Sequence, residues 1–465
     1  MAITVMVIQL QGKAGLLRQL GFVSATALVV SNMVGMGIFA TTGFMARDLG
    51  SAPLILAVWL VGALFALAGA LSYSELGINF PSSGGEYVYL TRAFGPAWGF
   101  MTGWISFFAG FSAPIAAASL AFSDYLGYFF PSLQQARAPY VFGSGPFSIR
   151  LGGGQAVACL LILCFTILNC LGVRRTARVQ NVLTATKLAV IIGFIGLGFL
   201  SGSGSWEHFS QPAVRTAPTT LPAQFVISLL WVMVAYSGWN AATYVAEELK
   251  RPERTLPAAL AAGTALVTAL FIGLNLIFIY STPLESMKGV LAVGSLAAAN
   301  LFGPQVAGTF SALMALSLMA TVNAEVTIGP RVYYAMAKNK AFFKTAAIVH
   351  PGWHTPVVAI LSQGLCAMLM TLTPFPQLVY YIGFSLTFFT VMSVASLFIF
   401  RRRPGWQTLR PVSFCFPAIP LSYILVGACM IGYGIVWQPA ASITALATIG
   451  AGAAVYHVWL RPRES

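Results

Sequence analysis

The sequence predicts an all-α membrane protein of about twelve spanning helices. Three observations predict it. Of the 465 residues, 58% are hydrophobic and only 8% are charged, whereas a soluble globular domain carries about 25% charged residues. Mean hydropathy is +0.82. The apolar runs exceed the ~18 residues that mark a spanning helix, and they lack the period-two alternation of a membrane barrel.

The expected spans are 21–46, 52–77, 97–122, 153–173, 177–200, 222–247, 257–281, 300–335, 356–373, 376–400, 413–436 and 440–460. The 45 glycines and 25 prolines fit this reading, since both residues are commoner in spanning helices than in soluble ones. Residues 1–19 have a poor apolar stretch, with Lys13 and Arg18 on the wrong side of it for a cleaved signal peptide. The first helix is therefore expected to act as the insertion signal. Between spans, 123–152 and 201–221 are rich in Gly, Pro and Ser and read as external loops, whereas 339–355 is basic. No soluble domain is expected.

The net charge of +14 could point to nucleic acid, but the positions of the charges argue otherwise. With the N-terminus inside, the cytoplasmic side carries Lys13, Arg18, Arg92, Arg174, Arg175, Arg178, Lys250, Arg251, Arg254, Arg331, Lys338, Lys340, Lys344, Arg401, Arg402, Arg403, Arg410, Arg461 and Arg463. The other side carries only Arg47, Arg137, Arg150, Arg215 and Lys288. This is the positive-inside asymmetry, and it predicts both termini in the cytoplasm of a multi-pass cell-membrane protein. Anionic membrane lipid is the expected electrostatic partner; no nucleic acid and no obligate protein partner is called for. Cys159, Cys164, Cys170, Cys366, Cys415 and Cys429 all fall in apolar spans without metal-ligand spacing, so they are expected to pack as small hydrophobes. Neither a disulfide, a metal site nor a cofactor is expected.

Two spans are interrupted at matching places. Span 1 contains Gly35 and Gly37 near its middle, and span 6 contains Gly238 near its middle, flanked by Ser237, Trp239 and Asn240. Each span is the first of a set of five. An odd number of helices in a set makes the two sets enter the membrane from opposite sides. Glycine-interrupted segments at corresponding positions of two inverted halves point to a transporter binding site. Unwound backbone is tolerated at depth only beside a cavity. Half-helix N-termini then hold an anion and freed carbonyls a cation, which together match a zwitterion. The competing reading, small residues for helix packing, explains one break better than it explains two.

Lys187 lies about 10 residues inside the fifth span, or ~15 Å deep at 1.5 Å per residue. A charge at that depth costs roughly 2.5–3.5 kcal/mol on insertion scales. Snorkelling would have to reach too far, so Lys187 is a candidate functional group.

At this point the residues resemble a known family. Gly35, Met36, Gly37, Ile38 and Phe39 are similar to the first-helix break of the amino acid–polyamine–organocation superfamily. The run from Ala235 to Asn240, followed by Glu247 to Pro257, resembles its sixth helix and the loop after it. Tyr73, Ser74 and Glu75, then Pro81 to Tyr87, resemble its loop between helices 2 and 3, and Asn323 and Gly329 to Ala335 its helix 8. Residues 20–360 are covered, and the L-type amino acid transporters are the most similar subgroup.

The resemblance implies a LeuT-type 5+5 inverted repeat, with 21–200 and 222–400 as the two repeats and 413–460 as two additional helices, working by alternating access. It implies that Gly35, Met36 and Gly37 present backbone N–H groups to a substrate carboxylate. The carbonyls of Met33, Val234 and Ser237 would receive the amino group, with Trp239 and Asn240 lining or supporting the site. Lys187 would stand where other members hold sodium. Met36 departs from the family's serine, Val234 from the aromatic gate of L-type relatives, and Glu325 from the small or hydroxyl residues usual in helix 8.

The function expected is sodium-independent secondary transport of amino acids, with protons as a candidate coupling ion. The alternatives are an exchanger or a permease for polyamines or other organic amines. Glu325 lies well inside span 8, and three placements are open: facing Lys187 as a titrating pair, facing it as a static pair, or turned toward Arg331. Arg401, Arg402 and Arg403 are expected to anchor helix 10 at the headgroups. An enzyme is not expected, since no HExxH or comparable set lies at bilayer depth. A channel would want a repeated filter, and an ATP-driven pump would need a phosphate loop.

Overall fold

The computed structural model describes residues 18, 20–81, 84–145, 148–338 and 340–460. Lys13, Arg461 and Arg463, and the expectation of no cleaved signal in the first segment, fall outside them apart from Arg18. Among the described residues, eleven helices are long and apolar enough to cross a membrane: Phe22–Ala40, Ala52–Asn79, Pro96–Leu126, Gly153–Cys170, Val179–Leu200, Leu221–Glu248, Pro252–Ser281, Pro304–Lys338, Phe375–Phe400, Ala418–Trp437 and Pro439–Leu460. The ninth expected span is a shorter apolar helix, Val357–Met370. Counting it, we number these helices 1 to 12 in chain order. Helix 5 continues back to Val173 at its basic end.

Several boundaries differ from expectation. Helix 7 begins at Pro252, because proline is tolerated in a first turn where its missing N–H has no partner to lose. Helix 8 begins at Pro304, and Val293–Phe302 forms a separate helix before it. The eleventh span divides into Arg410–Phe414 and Ala418–Trp437. The loop at 123–152 contains a hairpin of Tyr140–Phe142 and Ile149–Leu151, outside the helical bundle.

Helix 3 holds a π-helical turn at Ser106–Ser112. Pro114 follows it, and a proline cannot donate back to the carbonyl four residues earlier. The freed ladder widens there by one residue, as π-turns do at many functional sites.

Helices 1, 2, 6 and 7 pack on one another, and helices 3, 4, 5 and 8 form a second interlocked set. A buried polar chain ties the second set together. Asn323 of helix 8 donates to Gln180 of helix 5 at 2.7 Å and Asn169 of helix 4 to Asn323 at 3.2 Å. Thr327 donates to Asn169 at 2.8 Å. In a bilayer such groups must satisfy one another, which fixes the helices' register.

Connections alternate between two faces. One, the basic face, bears Arg92, Lys250, Arg251, Lys338, Lys340 and Arg401, Arg402 and Arg403; the hairpin lies on the other. On the basic face Leu20 bridges Leu249: Leu20 N donates to Glu248 O and Lys250 N to Leu20 O, both at 2.9 Å. The start of helix 1 is thereby bound to the end of helix 6. Arg401 is not the headgroup anchor expected of it. Its guanidinium makes two 2.7 Å bonds to Glu75, which is fully buried and also accepts Trp406 Nε1 at 2.9 Å and Leu409 N at 3.0 Å.

Candidate functional site

The site forms where the two helix interruptions meet. Helix 1 leaves α geometry at Val34 (ψ 94°) and Gly35 (φ −132°, ψ −156°) and resumes at Met36. Helix 6 leaves it at Ser237 (ψ 143°), turns through Gly238 (φ 95°) and resumes at Ala241 as a tighter 3-10 helix. The positive φ of Gly238 favours glycine, and a Cβ there would stand 2.9 Å from the carbonyl carbon of Asn32. At Gly37 a Cβ would stand 2.4 Å from Ala235 Cα. These two glycines let the broken backbones touch.

Breaking helix 1 strips carbonyls of their partners, and Lys187 supplies new ones. Its ammonium, on helix 5, donates to the carbonyl of Val34 and to that of Ser31, the latter at 3.4 Å. Lys187 is 1% exposed. A buried carbonyl left unpaired costs about 1–3 kcal/mol, so this one amine offsets a cost that the break itself creates.

A cavity of about 150 Å³ opens beside the helix 6 break. Its walls are Asn32 of helix 1; Met233, Ser237, Gly238, Trp239, Asn240 and Tyr244 of helix 6; Thr102, Ser106, Gly110 and Phe111 of helix 3; Glu325 and Ile328 of helix 8; Leu386, Phe389 and Thr390 of helix 10; and Glu86. The π-turn of helix 3 thus faces the interrupted stretch of helix 6.

Of the residues expected from the sequence, Ser237, Trp239, Asn240 and Glu325 line this cavity. Met33, Gly35, Met36, Gly37 and Val234 do not, although Asn32 and Met233, neighbours of Met33 and Val234, do. The Val234 carbonyl already accepts Ser237 N at 3.2 Å and Ser237 Oγ at 2.7 Å. An incoming amine would compete with both. Trp239 is 1% exposed and meets the Tyr73 ring edge-on at 4.8 Å.

Lys187 does not line the cavity, and no ion pair joins it to Glu325 among the described residues. The two charges still act on each other electrostatically. Arg331 is not the partner of Glu325 either; its guanidinium donates to the backbone carbonyl of Thr327, one turn earlier. The Glu325 carboxylate accepts no hydrogen bond among the described residues, while its backbone carbonyl accepts Gln363 Nε2 at 3.1 Å.

Sequence reasoning placed Glu86 in the family-like loop between helices 2 and 3 but not at the site. It begins the short helix Glu86–Phe94 between helices 2 and 3 and is 8% exposed. Asn240 Nδ2 donates to it at 2.6 Å, Tyr73 OH at 3.2 Å, and Tyr244 OH donates to its second oxygen. Burial pushes the Glu86 carboxyl above the usual range, against the pull of the bonds from Tyr244, Tyr73 and Asn240. The signal was a carboxylate in a glycine-rich loop at a membrane boundary, with no basic residue closer than Arg92. Its partners are brought in from helices 2 and 6, which the loop's own sequence does not reveal.

A family model described as amino acid permease matches residues 20–454. The mouse large neutral amino acids transporter small subunit 2 is 30% identical over 462 residues, covering 96% of this chain and 81% of that protein. The serine/threonine exchanger SteT of Bacillus subtilis (strain 168) is 29% identical over 429 residues, 90% of this chain and 92% of its own length. The mouse Asc-type amino acid transporter 1 is 28% identical over 438 residues, 92% of this chain and 78% of its own.

Proposed function

Because the chain belongs to the amino acid permease family, whose members here are transporters and not enzymes, we propose that it moves amino acids by sodium-independent alternating access. The observation that carries this reading is the Lys187 ammonium bonded to the Ser31 and Val34 carbonyls at the helix 1 break. Those oxygens are what a bound cation would need. An ammonium held there takes the place of a bound cation and repels sodium.

In this reading the N–H groups of Gly35, Met36 and Gly37, at the start of the resumed helix, hold the substrate carboxylate. The carbonyls of Met33, Val234 and Ser237 receive its ammonium, with Ser237 releasing Val234 as it does so. Trp239 and Asn240 form the helix 6 wall. The chain divides into repeats at 21–200 and 222–400, with 413–460 appended. Both termini lie in the cytoplasm, so the basic face is cytoplasmic, as the positive-inside rule requires.

Lys187 and Glu325 are the proposed coupling groups. They interact without forming a contact pair, so a proton on Glu325 changes the field at the helix 1 break without breaking a salt bridge. Exchange is the second reading, favoured by the name of the Bacillus subtilis relative.

Purified protein in liposomes, with labelled amino acids added outside, tests the proposal. We expect uptake that is unchanged on replacing sodium by choline and that falls at least tenfold in Lys187→Ala. Stimulation by an inward proton gradient marks symport, and a requirement for internal amino acid marks exchange. Uptake that depends on external sodium overturns the Lys187 argument.

A further inference from the structure

Among the described residues, the cavity lining holds two carboxylates and no Lys, Arg or His side chain. The two are of different kinds. Glu86 is clasped by three uncharged donors. Glu325 reaches the cavity from the opposite set of helices and accepts no hydrogen bond among the described residues. Among the described residues, the Lys187 ammonium is committed to the Ser31 and Val34 carbonyls and lies off the lining, and the Arg331 guanidinium donates to the Thr327 carbonyl. Taking a carboxylate out of water without a contact partner costs several kcal/mol. A neutral side chain entering this cavity would displace the remaining water and leave that cost in place; a cationic one would remove it. Around the carboxylates stand Thr102, Ser106 and Thr390, short hydroxyls that can accept a hydrogen bond from an ammonium or guanidinium.

Resting on the transport reading above, we propose that this cavity selects amino acids with a positively charged side chain, with Glu325 the residue that determines the preference and Glu86 a second, fixed carboxylate at the cavity wall. The unwound backbone handles the α-amino and α-carboxyl groups, which all amino acids share. Glu325 reads the side chain, which they do not. Residue 325 thus sets charge specificity independently of the glycines at the breaks.

Arginine and citrulline test this, since they match in size and shape and differ in side-chain charge. In proteoliposomes we expect arginine to be taken up at least tenfold more efficiently (kcat/KM) than citrulline, serine or leucine. In Glu325→Gln the arginine-to-citrulline ratio should fall toward one, and Glu325→Asp should restore part of it. Binding gives a second readout that does not depend on turnover: arginine, and not citrulline, should raise the melting temperature of the detergent-solubilised wild type, and that difference should vanish in Glu325→Gln. Leucine or serine uptake equal to or above that of arginine overturns the charge preference while leaving transport intact. Arginine binding that is lost in Glu325→Gln, without uptake of any amino acid, overturns the transport reading and leaves the preference standing. Equal melting shifts with arginine and citrulline, or none with either, overturn the preference.

Discussion

Removing the Lys187 ammonium leaves the Ser31 and Val34 carbonyls buried without donors. Lys187→Met keeps the length and apolar stem of the side chain, so its effect isolates those bonds. We expect a stability loss of about 1–3 kcal/mol, read as a lower melting temperature in detergent, together with at least a tenfold loss of uptake. A variant that melts like wild type would mean the carbonyls find other partners. Glu86 makes a different kind of prediction. Burial raises its carboxyl from the ordinary value of 4.5, so between that value and its raised one the folded protein holds a proton that the unfolded chain has released. Stability from this group is therefore full at low pH and is lost as pH rises through that window. Melting temperatures across the acidic range should fall with rising pH in the wild type and fall less in Glu86→Gln, where the amide cannot ionise. Parallel profiles would show that the hydrogen bonds from Tyr73, Asn240 and Tyr244 cancel the burial cost.

At the scale of helices, contact between the two breaks depends on missing side chains. In Gly37→Ala the new methyl would stand 2.4 Å from Ala235 Cα, a backbone atom that moves only if helix 6 moves. Overpacking of this kind costs about 1–3 kcal/mol, and here it also parts the helices at the site, so uptake should fall at least tenfold. Gly193→Ala on helix 5 has nothing within 4 Å of its added methyl and should leave both stability and uptake near wild type. Equal behaviour of the two variants would remove the close approach from the argument. The Glu75–Arg401 clasp is a second element-scale device, joining helix 2 to helix 10 at the basic face. Arg401→Gln strands a fully buried carboxylate, for which a loss of about 3–5 kcal/mol is expected, and unfolding measurements should find it larger than that of Arg402→Gln. How legible these features were follows from their range. The breaks could be read because a glycine among apolar residues is a local signal, and Lys187 because its charge conflicts with its surroundings. The Arg401 clasp and the Glu86 cluster could not, since each joins groups far apart in the chain: Glu75 and Arg401 are separated by 326 residues, Glu86 and Asn240 by 154. The π-turn of helix 3 had a local cause in Pro114, but proline in a spanning helix has several outcomes, and the pattern alone does not choose among them.

On the scale of the whole molecule, two cavities among the described residues share no lining residue. The inner one, at the helix 6 break, contains Glu86 from the loop on the basic face. The outer one, about 540 Å³, lies on the hairpin face among Arg47, Asp124, Gln135, Arg150 and Lys288, with Phe44 and Phe375 in its wall. Between them, Phe44 stacks on Trp231 at 5.0 Å and on Phe375 at 5.9 Å. Trp231 precedes Val234 by one turn of helix 6, so this aromatic stack stands one turn away from the position where L-type relatives were expected to carry a gate. For alternating access the stack must part on one side as the inner cavity closes on the other, and the two accessibilities must be coupled. Labelling can test this. None of the six cysteines lines either cavity, so a cysteine-free background can be prepared without touching them. Ala136→Cys reports on the outer cavity and Thr102→Cys on the inner one. A charged thiol reagent should reach Ala136→Cys from the hairpin face and Thr102→Cys only from the basic face. Added substrate should change the two rates severalfold in opposite directions. Rates that rise together would describe a continuous pore, and rates that ignore substrate would place its site elsewhere. Opposite shifts require that opening at Phe44 and closure at Glu86 belong to a single motion. The Leu20–Leu249 bridge joins the basic-face ends of helices 1 and 6, so a motion that keeps it has to carry the two ends together.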